Sequence, residues 1–289
     1  MKESKTQVWG LITPTLFLMV FIGVIPVIYI LYLSAFRYSV FARAPFTYIG
    51  FDNFRKLVFD ESFLRPLGLS LSFVVISCGI QLPLGMFIAN LLTQNFKGKG
   101  IFRTIMSLPL AMAPITIGSI WTLLTNPDIG PLTYLFNRLG IIYNIGENAF
   151  QAYSTIVVMD AWHWTPFVTL TLMAGLTALP NQPYEAALVD GASRWQTFWY
   201  VTIPLLKPVI LTTMFIRIMD ALRIFDEVWF LTGGGPGTAT RFASLHLVRL
   251  ALRSRDYGYS SAMSLFLLYL TIIICWLLLT FITTSREER

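Results

Sequence analysis

Charged residues leave long silent intervals along this chain. None lies between Lys5 and Arg37, Arg65 and Lys97, Arg103 and Asp128, Asp160 and Glu185, or Asp256 and Arg286. Each interval exceeds the ~20 apolar residues that a helix needs to cross a bilayer core. The pattern predicts helices over about 9–35, 68–93, 101–125, 154–178 and 259–283. A further apolar run, about 208–231, is interrupted by Arg217, Asp220, Arg223, Asp226 and Glu227 but is long enough to span. Residues 1–289 therefore read as one all-α transmembrane domain of six helices, with a loop at about 181–207 between the fourth and fifth. The first run is too long for a signal-peptide core and is expected to be a retained helix.

Composition agrees. Of 289 residues 55% are hydrophobic and only 12% charged, against ~25% charged in an ordinary soluble domain. Too few polar side chains remain to coat a water-facing surface, which excludes a soluble enzyme, a disordered tail and a secreted disulfide scaffold. The net charge of +6 is scattered over short loops, a pattern of membrane-surface preference and not of a nucleic-acid stripe. An even number of crossings puts both termini on one side. Basic residues divide almost evenly between the two sets of loops, so charge alone does not choose that side. Cys78 and Cys275 sit in apolar runs without metal-ligand spacing.

Catalytic signatures are missing. A phosphate cradle needs GxxxxGK[ST], and none of the six lysines stands in it. Gly233-Gly234-Gly235-Pro236-Gly237 has no lysine after it and follows a membrane helix, so it reads as a turn. His163 and His246 form no HExxH pair, and no GxSxG elbow occurs. If this protein uses ATP, another chain binds it.

The stretch from Pro183 to Pro208 is the most informative. It reads as two short helices broken at Gly191, the first opening with Pro183 and Glu185, the second capped by Ser193 and apolar along Trp195, Phe198 and Trp199. A surface-lying amphipathic helix accounts for the aromatics but not for an acid, two alanines and a glycine at fixed spacing. Glu185-Ala186-Ala187, Gly191, Val201, Ile203 and Pro204 resemble the EAA loop of ATP-binding-cassette importer permeases, with Val201 and Ile203 as apolar departures. Asp190-Gly191-Ala192 and Pro204-Leu205-Leu206-Lys207-Pro208 are similar to the carbohydrate-importer branch. So are Gly50-Phe51-Asp52-Asn53-Phe54, Leu108-Pro109, Trp121, Asn126-Pro127, Trp162-His163-Trp164-Thr165-Pro166-Phe167 and Leu231 to Pro236.

The resemblance implies a type I importer permease in a bacterial or archaeal cytoplasmic membrane. Its partners would be a second permease, two cytoplasmic ATPase subunits carrying the ATP and magnesium, and a periplasmic or lipid-anchored solute-binding protein. The chain itself would bind no cofactor and no nucleic acid. Glu185, Ala186, Ala187, Asp190, Gly191 and Pro204 would couple it to the ATPase, which makes that loop and both termini cytoplasmic. The loops at about 36–67, 126–153 and 232–258 would then face the binding protein.

An ionisable residue inside the membrane is a functional candidate because it is costly there unless paired or hydrated. Arg217, Asp220, Arg223 and Asp226 recur every three residues with alternating sign, so neighbours can pair within a salt-bridge ladder. Asp160, Trp162, His163 and Trp164 combine aromatic faces with polar groups, as sugar sites do, or form an interfacial tryptophan belt. Asp160, Trp162, His163, Arg217, Asp220, Arg223 and Asp226 are the expected pathway residues. A stand-alone secondary transporter using the fifth-helix charges as an ion relay is the alternative function, although no inverted repeat is visible.

Overall fold

The computed structural model describes residues 5–40 and 46–287. In chain order, α1 (Lys5–Met19) passes through a π turn at Val20–Val24 into α2 (Ile25–Ser34). Strands β1 (Phe36–Arg37) and β2 (Thr47–Tyr48) follow, then α3 (Asp52–Phe59), α4 (Glu61–Thr93), α5 (Lys99–Ser107), α6 (Pro114–Leu124) and α7 (Pro131–Arg138). The remainder is α8 (Ala149–Thr177), α9 (Gln182–Val189), α10 (Arg194–Thr197), α11 (Ile203–Ala221), α12 (Asp226–Leu231), α13 (Ala243–Val248) and α14 (Tyr257–Glu287). The strands pair antiparallel, Phe36 opposite Tyr48 and Arg37 opposite Thr47, in the one sheet among the described residues.

Four helical stretches are long and apolar enough to cross a membrane: Ile12–Ser34, Glu61–Thr93, Arg194–Ala221 and Tyr257–Thr280. A fifth is a broken pair, Lys99–Ala111 and Pro114–Leu124, bent by 99°. The single helix expected over 101–125 is thus corrected to two arms. Pro114 cannot continue a helix from its N-terminal side and holds Ala113 extended at φ −67°, ψ 141°. Helix α8 matches the expected fourth crossing in length but is more polar. It carries Asp160, His163, Thr165 and Thr169 buried inside the fold, and Asn148 caps its start by accepting the Gln151 amide hydrogen.

The fifth helix departs most from expectation. It does not run over 208–231. It ends at Ala221, and a new short helix starts at Asp226. The Ser244 hydroxyl donates to the Ile224 carbonyl inside the gap, and Asp226 and Glu227 supply negative charge to the first turn of α12, where the helix dipole favours it. Nor does it begin at 208. Instead α10 runs through a π turn at Phe198–Thr202 directly into α11, and Pro208 lies inside the helix. The second short helix of the 181–207 loop is therefore the first turn of the fifth span.

The described residues gather into two compact units, one drawn from Met1–Leu64 and His246–Ile272, the other from Arg65–Leu245 and Ile273–Arg289. In the first, buried Asn53 donates from its amide to the carbonyls of Ser34 and Phe36 at 2.8 and 3.0 Å, fixing α3 beneath the end of α2. The Tyr259 hydroxyl donates to Asp60, and Lys56 Nζ lies 4.5 Å from the Tyr259 ring centre. The second unit has two apolar clusters, one around Phe73, Ile117, Ile156 and Phe242, the other around Met86, Leu172 and Leu206. In the latter cluster α8 meets α11 at Gly175, where a Cβ would stand 2.7 Å from Leu206. A larger residue there would force the Leu206 and Val209 side chains to shift.

Candidate functional site: a buried ion-pair cluster and an exposed coupling segment

Helices α4, α8 and α11 each bring polar side chains into the interior of the second unit. From α4 come Ser77 and Gln81, one turn apart; from α8 comes Asp160; from α11 comes Arg217. Arg217 is completely buried and every nitrogen of its guanidinium is engaged. Nη2 donates to Asp160 at 3.0 Å, Nε to Gln81 Oε1 at 2.8 Å and Nη1 to Asp220 at 2.8 Å. Its Cζ also lies 4.6 Å from the Trp164 ring centre, the most favourable kind of ring for a cation. Asp160 in turn accepts from the Gln81 amide at 2.7 Å and from the Ser77 hydroxyl. Charges removed from water are tolerable only with this degree of pairing and hydrogen bonding.

The seven expected pathway residues divide. Asp160, Arg217 and Asp220 meet in this cluster, and the Arg217–Asp220 bond is the first step of the expected ladder. The ladder stops there, because Arg223 and Asp226 lie beyond the end of α11 and are exposed. His163 is buried elsewhere on α8, its Nδ1 3.5 Å from Glu227 Oε1. Trp162 is 42% exposed and packs on Trp121, ring centres 6.2 Å apart. Asp220 is the accessible edge of the cluster, its side chain 40% exposed. Among the described residues no three His, Cys, Asp or Glu side chains are placed to hold a metal ion.

Ser77 and Gln81 are site members that the sequence pattern does not single out, and Glu227, which it names only as a charge in the fifth apolar run, is the partner of His163. A glutamine and a serine four apart in an otherwise apolar span are the available signal for the first two.

The other feature lies at the start of the fifth span. Helix α9 carries Glu185, Ala186 and Ala187, and Tyr184 donates to the Thr202 hydroxyl at 3.2 Å, tying α9 to the π turn. Ala187 is buried on that tie, whereas Glu185, Ala186, Leu188, Val189 and Asp190 are exposed. Gly191 has φ +74°, and a Cβ placed on it would meet no atom within 4 Å, so the glycine is required by the turn and not by crowding. Ser193 then caps α10 in a full capping box with Gln196, as its sequence position predicts. Pro204 stands just after the π turn, at the start of α11.

Residues 81–285 match the family of binding-protein-dependent transport system inner membrane components. The trehalose/maltose transport system permease protein of Thermococcus litoralis is 36% identical over 96% of this chain and 94% of its own length. The sn-glycerol-3-phosphate transport system permease protein of Agrobacterium fabrum is 30% identical over 93% of this chain and 92% of its own. In fold, the chain resembles a chain in the crystal structure of a bacterial alginate ABC transporter in complex with alginate pentasaccharide-bound periplasmic protein. That match has a TM-score of 0.81 at 20% identity and covers 94% of this chain and 92% of that one. These matches set aside a stand-alone secondary transporter. The chain belongs to the inner membrane components of binding-protein-dependent transport systems, and it is a multi-pass permease subunit of an ABC importer, supplying the membrane passage and not the hydrolysis of ATP.

Proposed function

We propose that the chain forms part of the passage for a sugar or sugar-like solute, working with a second permease, two cytoplasmic ATPase subunits that carry ATP and magnesium, and a solute-binding protein. The solute class rests on relatives named for trehalose/maltose and sn-glycerol-3-phosphate transport. In this reading α9, its turn into the fifth span and both termini lie on the cytoplasmic side. Glu185, Ala186, Ala187, Asp190, Gly191 and Pro204 form the element that docks on an ATPase.

The observation that carries the coupling role is the exposure of α9. Its Leu188 and Val189 are 79% and 87% exposed, and Glu185 meets no cation of the described residues within ion-pair distance. A short helix with an apolar tip and an unspent carboxylate suits a groove with a basic residue. Along the passage, Asp220, Trp162, Arg223 and Asp226 are reachable by solute. Asp220 would accept from solute hydroxyls and Trp162 would offer a ring face. Asp160, Arg217 and His163 stand behind them and hold the reachable groups in place.

Reconstituted importer carrying Glu185→Lys or Asp220→Asn separates the two roles. Glu185→Lys is expected to lose ATPase subunits in a pull-down. Asp220→Asn is expected to keep them while solute uptake falls about tenfold, the effect of losing ~1.4 kcal/mol of solute interaction. Normal association in the first variant and normal uptake in the second would remove the coupling and pathway assignments respectively.

A further inference from the structure

Beside the start of the fifth span lies a groove of about 630 Å³ between α4 and the α10–α11 helix. Its walls are almost wholly apolar, including Met86 and Phe87 from α4 and Trp195, Phe198, Trp199 and Ile203 from the facing helix. The π turn at Phe198–Thr202 supplies two of these aromatic walls. Two polar residues complete the lining, Asn90 and Arg194. No carboxylate of the described residues lies within ion-pair distance of Arg194. A second cation is close to the same end: Lys99 Nζ donates to the Thr93 carbonyl at 3.5 Å, and the Thr93 hydroxyl donates to the Asn90 carbonyl at 2.7 Å.

We propose that this groove holds one anionic phospholipid, its acyl chain along the Met86–Phe198 wall and its phosphate on Arg194. Three features select that occupant. A span that begins at Arg194 places the groove's polar end at a membrane boundary, on whichever side that boundary lies. Trp195 and Trp199, ring centres 5.6 Å apart, are the residues that favour the headgroup level. The lining charge is a single arginine, which complements a phosphate. Basic pockets between membrane helices recognise anionic headgroups through the same chemistry. The site lies outside the groups assigned to coupling and to the passage, so it stands or falls independently of them.

The test is native mass spectrometry of the whole importer, delipidated and then offered phosphatidylglycerol or phosphatidylcholine. Wild type is expected to keep one more phosphatidylglycerol per copy of this chain than Arg194→Gln, with a preference over phosphatidylcholine of about fivefold, the effect of ~1 kcal/mol per basic residue. Met86→Trp, which fills the groove and leaves Arg194 untouched, is expected to lose that lipid as well. Equal retention of both lipids by wild type, or an unchanged preference in Arg194→Gln, would overturn the proposal. So would efficient disulfide trapping of Phe87→Cys to a cysteine on another subunit in native membranes, since a protein segment would then fill the groove.

Discussion

Stripping the Arg217 side chain would leave the Asp160 carboxylate buried beside Gln81 and Ser77 with no cation. Breaking a buried pair in this way costs about 3–5 kcal/mol. Arg217→Met is therefore expected to lower thermal stability in detergent by that order, while Asp160→Asn combined with Arg217→Met costs less than the two single losses added. Strict additivity in that double-mutant cycle would show that the cluster is not a clamp. Asp160 and Arg217 are legible as charges in apolar runs, but their union is not. They stand 57 positions apart, and nothing in local spacing pairs them. Ser77 and Gln81 escape because an uncharged hydroxyl or amide does not interrupt a charge-free interval. Asp60, just ahead of α4, offers a pH test. Burial opposes its charge, but hydrogen bonds from Tyr259 and Ser62 and the nearby Lys56 outweigh that and hold its carboxyl below the ordinary range. A depressed folded pKa contributes stability above the unfolded value of about 3.9, and the contribution fades as pH falls through the folded one. Asp60→Asn is expected to flatten the acid limb of melting temperature below that pH and to leave neutral pH dependence unchanged.

Elements are easiest to read where silence is longest. The charge-free intervals find the spans at Ile12–Ser34, Glu61–Thr93 and Tyr257–Thr280, because the bilayer requirement is itself a requirement on run length. Pro114 breaks the third span, whereas Pro208 lies inside the fifth without ending it, so a proline alone does not place a helix end. At the join of α9 and α10 sequence and structure agree: a left-handed Gly191 is followed by a capping Ser193. Gly191→Ala forces a β-carbon into that left-handed conformation at a cost of roughly 1–2 kcal/mol, and Gly191→Asn should cost less because asparagine tolerates it. ATPase pull-down is expected to weaken in the order Gly191, Asn, Ala, and equal recovery would mean that the turn geometry is irrelevant to docking. Helix packing is testable at Gly175. Gly175→Val would drive α11 off α8 at Leu206 and separate Arg217 from Asp160, so it should lower stability by more than the ~1–3 kcal/mol of ordinary overpacking. A smaller loss would show that the two helices relax independently of the ion pair.

For the whole molecule, run length and composition are enough to predict a helical membrane protein, and the EAA-like segment supplies its family. The grouping of residues into two compact units is not legible, because it depends on which distant segments pack together. With no phosphate cradle in the sequence, chain purified alone is expected to show no saturable ATP hydrolysis. Turnover by rigorously isolated chain would contradict the division of labour between membrane and ATPase subunits.

The uninterrupted helix from Arg194 to Ala221 has a mechanical consequence. Its 28 residues, at ~1.5 Å each, make a strut of about 42 Å. One end is tied to α9 through Tyr184 and Thr202, and the other bears Arg217 and Asp220 before the helix ends at Ala221. If α9 docks on an ATPase as proposed, a displacement of α9 would reach Arg217 and Asp220 along this one helix, and the π turn at Phe198–Thr202 and Pro208 are the places on the way where a helix bends.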